Sequence, residues 1–169
     1  MSARVCAYIG LGGNLDVPYK QIQRAFMELD NLPHTHLQSR SHLYTSRPLG
    51  PQEQPDYLNA VAILTTELAP LELLQALRSL EEDHGRRRNH ESRWGARSLD
   101  LDILVYGDVR LATAELTLPH PQMHLRSFVL YPLAELAPNL MIPGHGRVQD
   151  LRDRCHTPAI ELYKEAANE

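Results

Sequence analysis

Cysteine is nearly absent from this chain: of 169 residues only Cys6 and Cys155 carry a thiol. Two cysteines so far apart match no metal or redox spacing and read as idle thiols of a reducing cytosol. Lysine is equally scarce. Lys20 and Lys164 are the only two, so arginine supplies the other 15 of the 17 basic residues. Neither lysine follows a glycine-rich turn, and no G-x-x-x-x-G-K-S/T motif occurs, which excludes a P-loop. The run Gly10-Leu11-Gly12-Gly13-Asn14-Leu15 is no dinucleotide fingerprint either, because Leu15 stands where a third glycine is required. Those glycines read instead as a tight exit from a strand. No apolar run is long enough to span a membrane. Nor does an apolar segment of signal-peptide type follow Met1-Ser2-Ala3-Arg4-Val5. A net charge of -4 argues against a general nucleic-acid surface. We therefore expect a cytoplasmic protein that binds neither membrane nor nucleic acid.

What is present suits one domain over residues 1–169, with 43% hydrophobic residues to fill one core. Residues 3–11 are apolar and β-prone. Asp16 can cap a helix with Pro18 in its first turn, and Ile22, Ala25, Phe26 and Leu29 recur on one face until about Asn31. Residues 36–45 and 57–67 read as strands two and three, separated by a Pro- and Gly-rich loop. Pro70 opens a second helix with the stripe Leu73, Leu74, Leu77 and Leu80, and Gly85 stops it. After a polar, basic stretch, residues 98–106 form a fourth strand. The order β-α-β-β-α-β predicts an α+β, ferredoxin-like core with both helices on one face of the sheet. C-terminal additions are expected: a hairpin around residues 111–118, a short helix after Pro121 and a helix from about Val148.

The chemistry concentrates in Leu99-Asp100-Leu101-Asp102-Ile103. Alternation along a strand puts Leu99, Leu101, Ile103 and Val105 on a core face and both aspartates on the other, about 7 Å apart. Two carboxylates so placed repel unless a cation joins them, and Mg²⁺ accepts such hard oxygens together with substrate phosphates. Acids on a solvated sheet face are the bland alternative. Nearby, Arg86, Arg87, Arg88, Arg93 and Arg97 crowd one short stretch, and their planar forks suit phosphate oxygens. Trp94, the only tryptophan, sits inside that stretch, which fits stacking on a flat heterocycle better than core packing. His120 and His124, four residues apart, could face the same way on a helix, but no third zinc ligand has a recognisable spacing.

Several blocks together resemble the 6-hydroxymethyl-7,8-dihydropterin pyrophosphokinase family of folate synthesis. They are Tyr8-Ile9-Gly10-Leu11-Gly12-Gly13-Asn14, the run from Arg47-Pro48-Leu49-Gly50 to Asp56-Tyr57-Leu58-Asn59, and Glu81 with Gly85-Arg86-Arg87-Arg88. The likeness continues through Arg93-Trp94-Gly95-Ala96-Arg97-Ser98 into the aspartate strand, then through Leu118-Pro119-His120-Pro121 and Arg126-Ser127-Phe128. Ala96 stands where that family usually has proline. The resemblance implies transfer of the β,γ-diphosphate of ATP to the pterin hydroxymethyl group. It implies two Mg²⁺ ions on Asp100 and Asp102, with Arg86, Arg88 and Arg97 on the phosphates and Arg86 and Arg97 directly engaged in the transfer. His120, Arg126, Arg78 and Glu81 would border the nucleotide. Tyr57 and Phe128 would sandwich the pterin, Asn59 would pair with its amide edge beside Ser46 and Leu49, and Trp94 would close over both substrates. ATP and 6-hydroxymethyl-7,8-dihydropterin are then the partners, and a monomer is expected. The loops at 46–55 and 85–97 are expected to close over ATP. An RNA-binding module or a metal-dependent phosphohydrolase are the competing readings.

Overall fold

The computed structural model describes residues 3–47, 55–85 and 98–164. The expected loop closures, and the roles given to Leu49, Arg86, Arg88, Trp94 and Arg97, lie outside the described residues.

The two longest strands lie side by side at the centre of the sheet. β1 (Val5–Gly13) pairs antiparallel with β4 (Tyr57–Thr66) along its whole length, from Val5 opposite Thr66 to Gly13 opposite Leu58. On its other side β1 pairs antiparallel with β5 (Asp100–Tyr106). β2 (Thr35–Arg40) and β3 (Tyr44–Ser46) both pair with β4. Counting β2 and β3 as one broken strand, the strands run fourth-first-third-second across the sheet, the expected ferredoxin-like arrangement. The break corrects the single strand expected at 36–45. Ser41 leaves the ladder there, and its hydroxyl accepts the Val61 N–H at 2.9 Å in place of a backbone carbonyl.

Helices α1 (Pro18–Asp30) and α2 (Pro70–Asp83) lie on one face. Ile22, Ala25, Phe26 and Leu29 from α1 and Leu73, Leu77 and Leu80 from α2 bury against Ala7, Ile9, Leu11, Leu64, Leu101 and Ile103. Gly85 at φ +94° stops α2, a conformation that glycine adopts without a side-chain clash. Asp16 does not cap α1: Val17 holds the cap position at φ 58°, and no side chain bonds there.

The opposite face carries an element absent from the sequence expectation, α3 (Ser127–Leu136). It is apolar almost all round and contains Pro132, so neither an amphipathic period nor helix propensity announces it. Val129, Leu133 and Ala134 pack there with Val61, Leu104, Val105 and Met123. Glu135 ties α3 to the sheet, accepting from the Tyr44 hydroxyl at 2.8 Å and meeting His42 Nδ1 at 2.8 Å. Burial, and then the Glu135 carboxylate, push the Tyr44 phenol well above its ordinary value.

The hairpin appears as β6 (Leu111–Ala112) and β7 (Thr117–Leu118), followed by one 3-10 turn, Met123–Leu125. A second small hairpin joins β8 (Met141–Ile142) to β9 (Gly146–Arg147). The C-terminal helix α4 (Val148–Asp153) spans only 6 residues. The chain then returns as β10 (Ile160–Leu162), which extends the sheet beside β3.

Leu64, at 0% exposure in the middle of β4, tests this core. Leu64→Ala is expected to cost about 3 kcal/mol, within the usual range for a buried leucine. It should appear as a lower urea midpoint with an unchanged slope.

Candidate functional site

β5 alternates as its sequence requires through Ile103. Leu101 and Ile103 enter the core under α1 and α2, while Asp100 is half-buried and Asp102 exposed on the α3 side. A register shift then places Tyr8 opposite Val105 but Ile9 opposite Ile103. The extra residue turns both Leu104 and Val105 into the α3-side core. Val105 therefore does not share the face of Leu101, as unbroken alternation had predicted.

Gly12 lies opposite Asp100 and Gly10 opposite Asp102. On its other side Gly12 faces Asn59. One row across three strands thus reads Asp100, Gly12, Asn59, with its outer members about 10 Å apart, two strand spacings. Gly10 and Gly12 lie inside the strand, and only Gly13, its last residue, stands at the expected exit. A side chain at Gly12 would meet Asn59 Oδ1 at 3.3 Å, so the absence of one keeps the floor between amide and carboxylate clear.

Asn59 is buried and its orientation is set locally. Its Nδ2 donates to Ser46 Oγ at 2.7 Å and to the Tyr44 carbonyl at 3.3 Å. Oδ1, turned toward Gly12, is left to accept from a ligand over that floor. Tyr57, two residues earlier on β4, shares the face of Asn59. Phe128, at the start of α3, packs on the core of the same side.

The other shoulder belongs to His120 and Arg126. The His120 N–H donates to the Leu104 carbonyl at 2.8 Å, which docks this segment on β5. Its Nδ1 accepts the Gln122 N–H at 3.1 Å, so a neutral ring carries its proton on Nε2. Burial lowers the His120 pKa; Asp102 pulls it upward and Arg126 lowers it further. The Arg126 guanidinium stands 5.6 Å over the Phe128 ring.

Tyr57, Asn59, Ser46, Asp100, Asp102, His120, Arg126 and Phe128 therefore all come to the side of the sheet that α3 occupies. Glu81 and Arg78 approach from α2 on the other side. Glu81, 3% exposed, accepts the Leu101 N–H at 2.9 Å, and Arg78 is exposed. Sequence reasoning missed Gly10 and Gly12 as site residues. Their alternation with Ala7, Ile9 and Leu11 was the available signal. His124 does not join His120: its ring stacks on His145 at 3.7 Å.

The carboxylate pair fits Mg²⁺. Among the described residues no third acidic or histidine ligand joins it, which leaves coordination positions for phosphate oxygens and water.

A ferredoxin-like antiparallel sheet with a half-buried and an exposed acid on the face opposite its two packed helices defines the class, an α+β fold with a polar face on the sheet. The family follows from comparison. The sequence model of 7,8-dihydro-6-hydroxymethylpterin-pyrophosphokinase (HPPK) matches residues 8–138, and the chain belongs to that family. It is 48% identical over 147 residues to the 2-amino-4-hydroxy-6-hydroxymethyldihydropteridine pyrophosphokinase of Haemophilus influenzae, covering 87% of this chain and 91% of that one. It is 48% identical over 154 residues to the protein of that name from Pseudomonas aeruginosa, covering 91% of this chain and 94% of that one. The solved wild-type HPPK-DHPS of Plasmodium falciparum with STZ-DHP superposes with a TM-score of 0.70 at 13% identity. That match covers 90% of this chain and 43% of the solved one, so this chain spans less than half its length, and the likeness concerns the fold alone.

The stacked histidines carry a pH prediction. Burial, then the nearby His145, lower the His124 pKa from its ordinary 6.5, and its buried Nδ1 has no partner among the described residues. Below that value the unfolded chain binds a proton that the folded chain resists. Stability is therefore lost as pH falls below about 6.5 toward the folded value, and nothing changes above it. Urea midpoints should fall more steeply for the wild type than for His124→Asn between about pH 7 and about pH 5. Parallel curves would contradict this.

Proposed function

We propose that the face built from β1, β4 and β5 is where this chain moves the β,γ-diphosphate of ATP onto the hydroxymethyl oxygen of 6-hydroxymethyl-7,8-dihydropterin. The activity follows from the family: the chain is a 6-hydroxymethyldihydropterin pyrophosphokinase of folate biosynthesis. The residue assignments are the proposal. The observation that carries them is the row Asp100, Gly12, Asn59, which sets an oriented amide acceptor and a carboxylate on either side of an open floor.

The pterin lies over Gly12, its ring between Tyr57 and Phe128, donating an N–H to Asn59 Oδ1. Ser46 prevents the amide from turning over, because its hydroxyl accepts from Asn59 Nδ2. Asp100 and Asp102 would hold two Mg²⁺ ions, which would supply positive charge to the phosphate oxygens and make the β-phosphorus more electrophilic. His120, neutral because of its burial, donates from Nε2 to a nucleotide phosphate oxygen, and Arg126 adds charge on the same side. An oxygen–phosphorus bond forms at the β-phosphorus as its bond to the oxygen bridging to the α-phosphate breaks; AMP leaves and the hydroxyl proton is released to solvent. The protein contributes alignment and charge placement rather than a covalent intermediate. The roles of Arg86, Arg88, Arg97, Trp94 and Leu49 rest on the family resemblance. Glu81 and Arg78 border the nucleotide from the β5 edge. The whole chain acts as one domain, a cytoplasmic monomer.

Mixing the protein with ATP, Mg²⁺ and 6-hydroxymethyl-7,8-dihydropterin should release AMP in amounts matching the pterin diphosphate. Only background AMP would refute the assignment. Asp102→Asn is expected to lower kcat by about 100-fold or more at a fixed Mg²⁺ concentration, the scale seen when one transition-state charge contact is lost. Gly12→Val should instead raise KM for the pterin by about tenfold or more, because the new side chain crowds Asn59 Oδ1. Its KM for ATP should change far less.

A further inference from the structure

His84 is a titratable side chain for which the transfer reaction above has no use. It follows the last turn of α2, and its side chain is 0% exposed. A ring so buried is costly unless both nitrogens are satisfied. Both are: Nδ1 meets Gln21 Oε1, and Nε2 meets Glu28 Oε1 at 2.5 Å. Gln21 has already committed its Nε2 to the Asp16 carbonyl at 2.9 Å, so its Oε1 must accept from His84 Nδ1–H. Nε2 then faces the Glu28 carboxylate, whose other oxygen reaches Arg24 at 3.4 Å.

The contacts continue beyond Gln21. The Ser98 hydroxyl donates to Asp16 Oδ2. Asp16 and Val17 both hold left-handed backbone, at φ 56° and 58°, a costly conformation for residues other than glycine. That turn presents the Asp16 carbonyl to Gln21 and the Asp16 carboxylate to Ser98 at once. The linked groups run Glu28, His84, Gln21, Asp16, Ser98, and Ser98 stands two residues before Asp100.

We propose that His84 is a positioning residue of the diphosphate transfer, acting through Gln21, Asp16 and Ser98 to hold the start of β5, and with it Asp100, in place for the magnesium nucleotide. The proposal rests on the assignment of Asp100 to the cation. Its physical content is that the strand's entry is braced from α1 and α2 by directed bonds, whereas Leu99 and Leu101 alone would fix its depth but not its slide. Groups that orient a cation ligand from behind commonly change affinity by about 10–100-fold when removed.

Binding separates this from a merely structural role. Gln21→Ala and Ser98→Ala each cut one link and leave the bond from Asn14 Nδ2 to the Pro55 carbonyl, on the β4 side of the turn, untouched. Calorimetric titration with Mg²⁺ and a nonhydrolysable ATP analogue should give about tenfold weaker binding for each variant. Pterin affinity, measured separately, should stay within about twofold, and KM should rise for ATP and not for the pterin. Because both changes break the same chain, the double variant should be no weaker than the weaker single. His84→Ala should reproduce the pattern; if it does not fold, the two-residue cycle decides alone. Additive losses, equal losses of both ligands, or wild-type binding by Gln21→Ala would each overturn the proposal. Binding is read without turnover, so failure of the wild type to release AMP would count against the assigned reaction and not against this chain of bonds.

Discussion

Everything in the site depends on the two-residue period of one edge strand. Leu99, Leu101 and Ile103 go under the helices only if Asp100 and Asp102 go to the other side, and a slip of one residue would bury both charges. The register is held from several directions. β1 supplies the ladder, Glu81 accepts the Leu101 N–H, and the His120 N–H takes the Leu104 carbonyl. A lone buried carboxylate is expensive, so a Glu81 that accepts a backbone donor also relieves its own burial. The bulge at Leu104 ends this alternation just beyond the acids, which lets the strand's last turn serve the second core instead.

A second requirement is empty space beside the charges. Gly12 provides it where any other residue would add a side chain to the row of Asp100 and Asn59, while the Leu104 side chain packs over Gly10. The cost is weaker strand propensity, offset here because β1 is paired on both sides along most of its length. Asn59 shows the complementary tactic. Its two donors are spent inside the protein, so only its acceptor remains for a ligand. In the candidate site the Asn59 amide is thus oriented by its own strand neighbours before any ligand arrives.

Much of this was legible locally. The stripes of α1 and α2, the glycine stop at Gly85 and the alternation around the aspartates each repeat within a few residues, so the ferredoxin-like order could be read directly. α3 was not, because a helix buried on most sides lacks a polar face and Pro132 argued against it. The broken second strand was hidden too: Ser41 looks like any strand serine until Val61 is brought against it. Asp16 had the right identity for a cap and the wrong geometry, since its carboxylate is claimed by Ser98, 82 residues away.

The amino-acid order alone determined which residues could carry charge on one strand face, where two helices run and which family the motifs resemble. Those properties depend on period, composition and spacing along the chain. Only tertiary structure decided that Gly12 lies between Asn59 and Asp100, that Val105 leaves the face of Leu101, and that His84 reaches Ser98 through Gln21 and Asp16. Each of these joins residues distant in sequence, and strand register and long-range hydrogen bonds are properties of the packed chain, not of any local stretch.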